Sequence, residues 1–435
     1  MEELIHYCWQ HKLFPLAPLC TTDGRSVEVI DTGLHNSHAG PDFFNAKLKI
    51  DGMLWVGNVE IHDKASDWYL HGHDKDPNYD SVILHVVGKV DAEARTMNGV
   101  VLPQLRLRVP EQVSHNYEEL LRTESYPPCY RIIPQLSKLM LHSWMSAMET
   151  ERLERKTDDI VRRVDQCGGS WEGAYFVTLA RNFGFGTNSE AFEQWALNLP
   201  LDKVGHHRDD IFQIEAIFMG QAGLLSEESL PERYRQSAHE EGYFDRLRDE
   251  YQYMAHKFQL HPMDWKLWRF LRLRPQNFPY IRIAQLATLY YRRQTGLGEL
   301  VEQESVKDAV GLLQTEVTPY WRTHYMFGEP GPKSGKRLSA SSANLLLVNT
   351  VVPMLFAYGR HKDDDRLCQR AFDFLETLKA EDNSIVRMWQ GCGLTVDNAG
   401  DSQALIQLKR EYCDKRECIR CRIGYEYLKG KSFSI

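Results

Sequence analysis

No run of about 18 uninterrupted apolar residues occurs in the chain, so the sequence predicts no membrane-spanning helix. The opening MEELIHYCWQHKLFPL lacks the basic start and apolar stretch of a secretory signal. Basic residues are not in excess either. With 52 Lys and Arg against 60 Asp and Glu, the net charge of -8 argues against whole-surface attraction to nucleic acid and leaves room only for a local groove. Internal repeats, low-complexity tracts and a Gly-x-Ser-x-Gly nucleophile elbow are absent. The nine cysteines are odd in number and scattered, bunching only near the end. That pattern fits reduced thiols with one metal site better than a disulfide framework. The expectation is a cytoplasmic protein without a membrane partner.

What is present is ordinary globular composition: 43% hydrophobic and 26% charged residues over 435 positions, enough for two or three domains. Residues 2–13 read as a short helix with Leu4, Ile5, Cys8 and Trp9 on one face. Short β-rich runs follow at 27–30, 43–50, 54–61, 82–87 and 100–107, separated by Gly, Asp, Asn and Pro. Asp51-Gly52 between two of them is a hairpin signal. VILHVV is apolar nearly throughout, as a strand covered on both faces requires. Beyond Pro110 helical periodicity takes over, including 134–166, 171–182, 189–197, 207–224, 239–257, 282–294, 298–314, 343–358 and 363–379. The predicted class is α+β, with a mixed α/β module at 1–115, a large all-helical domain at 116–385 and a short Cys-rich element at 386–435.

The chemistry concentrates in GPDFFNAKLKIDGMLWVGNVEIH, which sets Asp42 at the start of one strand and Glu60 and His62 near the end of the next. Two acids on neighbouring strands can share a divalent cation, which lowers the pKa of a bound water and shields a phosphate. Side chains alternate along a strand, so His62 points the same way as Glu60. Register decides the outcome. A three-residue turn would set Asp42 opposite His62 and Glu60 opposite Phe44, with Leu48 facing Val56 and Ile50 facing Leu54; a two-residue turn needs a compensating bulge nearer Gly57. His71, His73 and Asp74 form a second candidate ligand or phosphate-contact loop, since imidazole and carboxylate suit Zn, Mn or Fe. Lone His85 in an apolar strand reads as a core histidine.

The order helix, strand, PD, seventeen residues, ExH, short helix, strand resembles the core of the PD-(D/E)XK nucleases. That resemblance implies a restriction-endonuclease-like module, with Asp42, Glu60 and the Ile61 carbonyl on Mg2+ or Mn2+. It sets His62 where that family has lysine, with Lys64 as a substitute, and makes Glu3 its helical acid. More broadly, HAGPDF, GNVEIH, SDW, HGHDKD, VILHVV and the closing SQALIQL with YC, C and C resemble an uncharacterised bacterial family of unknown function.

Cys413, Cys418 and Cys421 supply three thiolates just after a helix, with Cys392 before that helix as the fourth ligand to Zn2+ or an iron–sulfur cluster; Cys368 is the weaker choice. WKLWRFLRLRPQNFPYIRI interleaves arginines with aromatics but reads first as a helix with an aromatic core face. GPKSGKR fails phosphate-loop spacing and reads as a flexible basic loop. The leading expectation is a metal-dependent nuclease or related phosphodiesterase acting on nucleic acid, DNA before RNA. Its alternatives are a non-catalytic nucleic-acid- or protein-binding scaffold with a degenerate nuclease core, and a zinc hydrolase of small substrates using His62, His71 and His73.

Overall fold

The computed structural model describes residues 2–14, 17–36, 38–292 and 296–430. The last two positions of the helix expected over 282–294 and the last five of the element 386–435 lie outside them. With 56% helix against 12% strand, and the large sheet lying ahead of the long helical region, the class is α+β. The chain divides into two compact units, Met1–Leu141 with Gly391–Leu394 and Leu408–Ile435, and His142–Gln390 with Thr395–Gln407.

The first unit opens with helix α1 (Glu2–Gln10), then β1 (Leu19–Cys20), β2 (Ser26–Asp31), β3 (Leu34–His35), β4 (Phe43–Ile50), β5 (Met53–Lys64), α2 (Asp67–Leu70), β6 (Val82–Lys89), β7 (Gln104–Arg106) and α3 (Glu111–Arg122). One sheet runs β1-β2-β4-β5-β6-β7, with β3 beside β4. The β4–β5 pair is antiparallel, whereas β5–β6 and β6–β7 are parallel, the first of these crossovers carrying α2. Central β5 therefore needs cover on both faces. Val59, Ile61, Leu84 and Val86 turn one way, towards α1, and Gly88 on that face has no room for a side chain because a Cβ there would sit 2.9 Å from Ile5 Cδ1. The opposite face carries Glu60, His62 and His85 under Trp68.

Asp51 and Gly52 both take positive φ, 50° and 78°, which makes a two-residue hairpin turn whose twist matches the strands. Leu48 pairs with Trp55 and Ile50 with Met53. The three-residue register, with Leu48 facing Val56, is corrected. One extra residue enters β4 instead: Phe43 pairs with Val59 but Ala46 with Gly57.

The second unit is not the all-helical domain expected, since His324–Met326 pairs antiparallel with Glu329–Pro330. Its other described elements are helices around a core that includes Phe192, Trp195, Phe218, Tyr280 and Trp321. Residues Ala340–Lys362 form a helix that is long and apolar enough to cross a membrane by length and composition. The sequence predicted no such helix, because Asn344, Asn349 and Thr350 break the apolar run. Since 67% of its most apolar stretch is buried inside the protein, it reads as a core helix.

Candidate metal centre

The bulge in β4 aligns the acids. Asn45 adopts φ 56°, a left-handed conformation that asparagine tolerates better than most residues, and its amide donates to Asn58 Oδ1 at 3.1 Å. The two-residue turn alone would bring Asp42 opposite Ile61. The extra residue shifts the start of β4 by one position, and Asp42 meets Glu60.

The two carboxylates bind each other's backbone. Glu60 Oε2 accepts the Asp42 N–H at 3.0 Å, and Asp42 Oδ2 accepts the Ile61 N–H at 2.8 Å. The remaining oxygen of Glu60 faces imidazoles, with Oε1 3.2 Å from His73 Nε2 and 3.6 Å from His62 Nε2. Asp42 Oδ2 lies 3.5 Å from His6 Nε2 on α1. The Nε2 atoms of His73 and His6 are buried and have no hydrogen-bond partner, so both rings present an unsatisfied nitrogen to a carboxylate. Groups left unpaired at such depth cost about 1–3 kcal/mol each unless something fills the gap. A cation between them would supply that partner.

His71, Gly72 and His73 reach the cluster because Gly72 takes φ 75° and returns the chain on itself. One ring nitrogen from each of His62, His71 and His73 lies within 4.8 Å of the others. His73 is fixed by stacking on Tyr79, centroids 3.8 Å apart, and by the edge of Trp68. His62 Nε2 is 3.1 Å from His71 Nδ1, and its Nδ1 is 2.9 Å from His85 Nε2. His85 in turn meets the Gln104 side-chain amide at 3.3 Å. Gln104, His85 and His62 thus form a buried chain that can settle which His62 nitrogen keeps its proton, as hydrogen-bonded partners behind metal-ligating histidines do.

Burial keeps the imidazoles of His62, His85 and His6 neutral. It pulls His62 far below its ordinary value, with help from His85, His73, His71 and His6. His85 falls to about 3, through burial and then His73, and His6 to about 4, through burial and then His35. Asp42 moves up, first through burial and then through the charge of Glu60. Neutral His62 and His6 beside Asp42, whose ionisation burial and the charge of Glu60 oppose, belong to a donor set suited to a divalent cation.

Other expected residues fall elsewhere. Glu3 is exposed, and the helical acid nearest the pair is Glu2, whose charge acts on Asp42 and whose Oε2 accepts the Asp63 N–H at 3.3 Å. The reason is helical phase. Glu2 and His6, four apart, share the stripe of α1 that faces the sheet end, and Glu3 does not. Lys64 is exposed at the end of β5, where its amide donates to Asp67 Oδ2 at 3.0 Å. Asp74 is half-buried in the turn His73–Lys75. Glu2, His6 and Gln104 were not predicted. The polar pair four apart on an otherwise apolar helix was the available signal for the first two; for Gln104 there was none.

In the helical unit Arg282 is buried, its guanidinium over the Phe185 ring and donating to Gln285 and Asn277, so it serves packing. The loop with Lys336 is corrected from a flexible basic segment: Lys336 is buried and donates to the Trp321 carbonyl. Elsewhere in this unit a cavity of about 510 Å³ is lined by Glu215, Tyr243, Thr318 and His324 among others. Glu215 already accepts hydrogen bonds from Tyr243, Thr318 and Trp321, which marks it as a satisfied core acid.

A family model described as Protein of unknown function (DUF2851) matches residues 2–384, taking in the whole carboxylate–histidine cluster and stopping short of Cys392, Cys413, Cys418 and Cys421. No curated protein and no solved structure matches the chain.

Proposed function

The chain belongs to the DUF2851 family, which carries no assigned activity, and from the geometry we propose a divalent-metal-dependent hydrolase of phosphodiesters, with nucleic acid as the substrate class. The observation that carries this reading is the Asp42–Glu60 pair flanked by the unsatisfied Nε2 atoms of His73 and His6. A cation held there would lower the pKa of a bound water and neutralise charge on a phosphate oxygen. Imidazole donors beside the carboxylates favour Mn2+ over Mg2+. A neutral His62 would orient the attacking water. The strand order supports the same reading, because an antiparallel hairpin followed by a parallel crossover strand brings the acids to the rim of the sheet.

The test is cleavage of single- and double-stranded DNA and RNA with Mn2+, Mg2+ or chelator, comparing wild type with Glu60→Gln. Loss of metal-dependent cleavage in a folded variant is expected; equal cleavage by both proteins removes the proposal. A second reading, a zinc hydrolase of small substrates, is favoured by the mutual approach of His62, His71 and His73. It predicts that a His71→Ala, His73→Ala variant loses tightly bound zinc while Glu60→Gln keeps it. A degenerate, non-catalytic core would bind no cation in either variant.

A further inference from the structure

Three cysteines follow one another around a helix–turn–helix corner. Cys413 ends the helical stretch Leu408–Cys413, Cys418 opens the single turn Cys418–Arg420, and Cys421 precedes the helix Arg422–Lys429. Arg416 reverses the chain at φ 59°, and the Glu417 amide closes the corner onto the Tyr412 carbonyl at 2.9 Å. The second helix lies so close that a Cβ on Gly424 would sit 2.0 Å from the Cys418 carbonyl oxygen.

A fourth thiol comes from a distant part of the sequence within the same unit. Cys129, buried to 8% exposure, follows Pro127-Pro128 directly after Tyr126, whose hydroxyl reaches Asp414 beside Cys413, and its thiol feels Cys421, Cys413 and Cys418. The neighbouring backbone is clamped on both sides. Tyr126 donates to Asp414 at 2.7 Å and its hydroxyl also bonds the Cys413 side chain; the Arg416 guanidinium donates to the carbonyls of Leu120 and Thr123. Cys392, the fourth ligand expected from the sequence, feels none of these thiols; burial alone raises its pKa. All of these cysteines are free of disulfides.

We propose that Cys129, Cys413, Cys418 and Cys421 form a four-thiolate metal centre, for a zinc ion or an iron–sulfur cluster, that fastens the segment after α3 to the two helices flanking the corner. An all-sulfur donor set selects thiophilic metals over Mg2+, Mn2+ or Ca2+. Loading it with zinc releases one proton from each thiol and leaves a doubly negative tetrathiolate, with the Arg416 cation beside Cys418. Zinc enters as the ion and no electrons move; a cluster requires preassembled iron and sulfide from a donor of that class. The role is structural and independent of the carboxylate–histidine centre.

The full chain is purified without added metal, both in air and anaerobically, as wild type, Cys129→Ser and Cys392→Ser. Zinc, iron and acid-labile sulfide are counted in each. Metal held by the histidine cluster is common to all three proteins and cancels. Cys129→Ser should lose one zinc equivalent, or the iron and sulfide of one cluster with its visible absorption, while Cys392→Ser keeps them. The labile sulfide tells the two metals apart. Should Cys129→Ser fail to fold, wild type answers alone: alkylation mapped by mass spectrometry should label exposed Cys20 at once and the four proposed ligands only after chelation or cluster oxidation. Undiminished metal in Cys129→Ser, absence of metal from every preparation, or labelling of the four thiols unaffected by metal removal overturns the proposal.

Discussion

Glu60 Oε2 accepts the backbone N–H of Asp42 at 3.0 Å, and Asp42 Oδ2 accepts the N–H of Ile61 at 2.8 Å, so each acid is held by the strand that carries the other. Backbone donors fix both carboxylates whatever occupies the space beside them. Their separation is therefore a property of the hairpin, and it can be changed without touching either acid.

Asp42→Asn keeps an acceptor for the Ile61 amide and removes one of two crowded negative charges. Because burial and Glu60 already disfavour ionised Asp42, the variant should be as stable as wild type or more so in urea. It should also lose most of the metal-dependent rate. A variant that is destabilised yet fully active reverses this assignment.

Asn45 offers a test of register. Asn45→Gly should be tolerated, as glycine also takes positive φ, whereas Asn45→Val should cost about 1–2 kcal/mol for a β-branched residue forced to φ 56°. If the bulge aligns the acids, calorimetric Mn2+ affinity falls in Asn45→Val and survives in Asn45→Gly. Equal affinities would mean that the bulge is incidental.

Gln104 and His85 sit behind His62 and touch no reacting atom on this reading. His85→Phe leaves His62 Nδ1 and the Gln104 amide buried without their partner, a loss of about 1–3 kcal/mol for each group. Metal affinity should drop about 10–100-fold, as for other partners of ligating histidines. His85→Asn, which can still hydrogen-bond, should recover part of that affinity; a purely structural His85 would show the stability loss without any change in metal binding.

Acid should destabilise the metal-free protein. His85 and His6 titrate at about 3 and about 4 in the folded chain against 6.5 ordinarily. The unfolded state therefore binds protons first, and stability present above about pH 6.5 is lost as pH falls towards the folded values. Asp42 acts oppositely. Its folded value is raised, so its contribution is present at low pH and lost as pH climbs through that value. Below it, Mn2+ must displace a proton, and affinity should rise by up to about tenfold per pH unit. Urea unfolding and calorimetry across the pH range give both slopes; a pH-independent Mn2+ affinity would exclude Asp42 as a ligand.

The strand runs were legible because alternation and punctuation mark them locally: 43–50 and 82–87 correspond to Phe43–Ile50 and Val82–Lys89. Pro-Asp and Glu-x-His were legible as residue types suited to a cation. The register was not, since a two-residue turn plus a bulge and a three-residue turn satisfy nearly the same apolar pattern. Nor was the inward aim of His6 and Gln104, which depends on packing between elements distant in sequence. Cys129 was passed over for the same reason: nothing near Pro127-Pro128 refers to Cys413.

Asn116 on α3 donates to the carbonyls of Tyr427, Leu428 and Gly430, a link across 311 positions in the first case. A ribosome finishes the helical unit before it reaches those partners. The unit that houses the carboxylate–histidine cluster must wait, its early strands already made but its closing helix still unwritten. Maturation of the cluster's own unit is therefore tied to the synthesis of residues 427–430, and a nascent chain arrested before residue 427 would carry α3 with its buried asparagine unanswered.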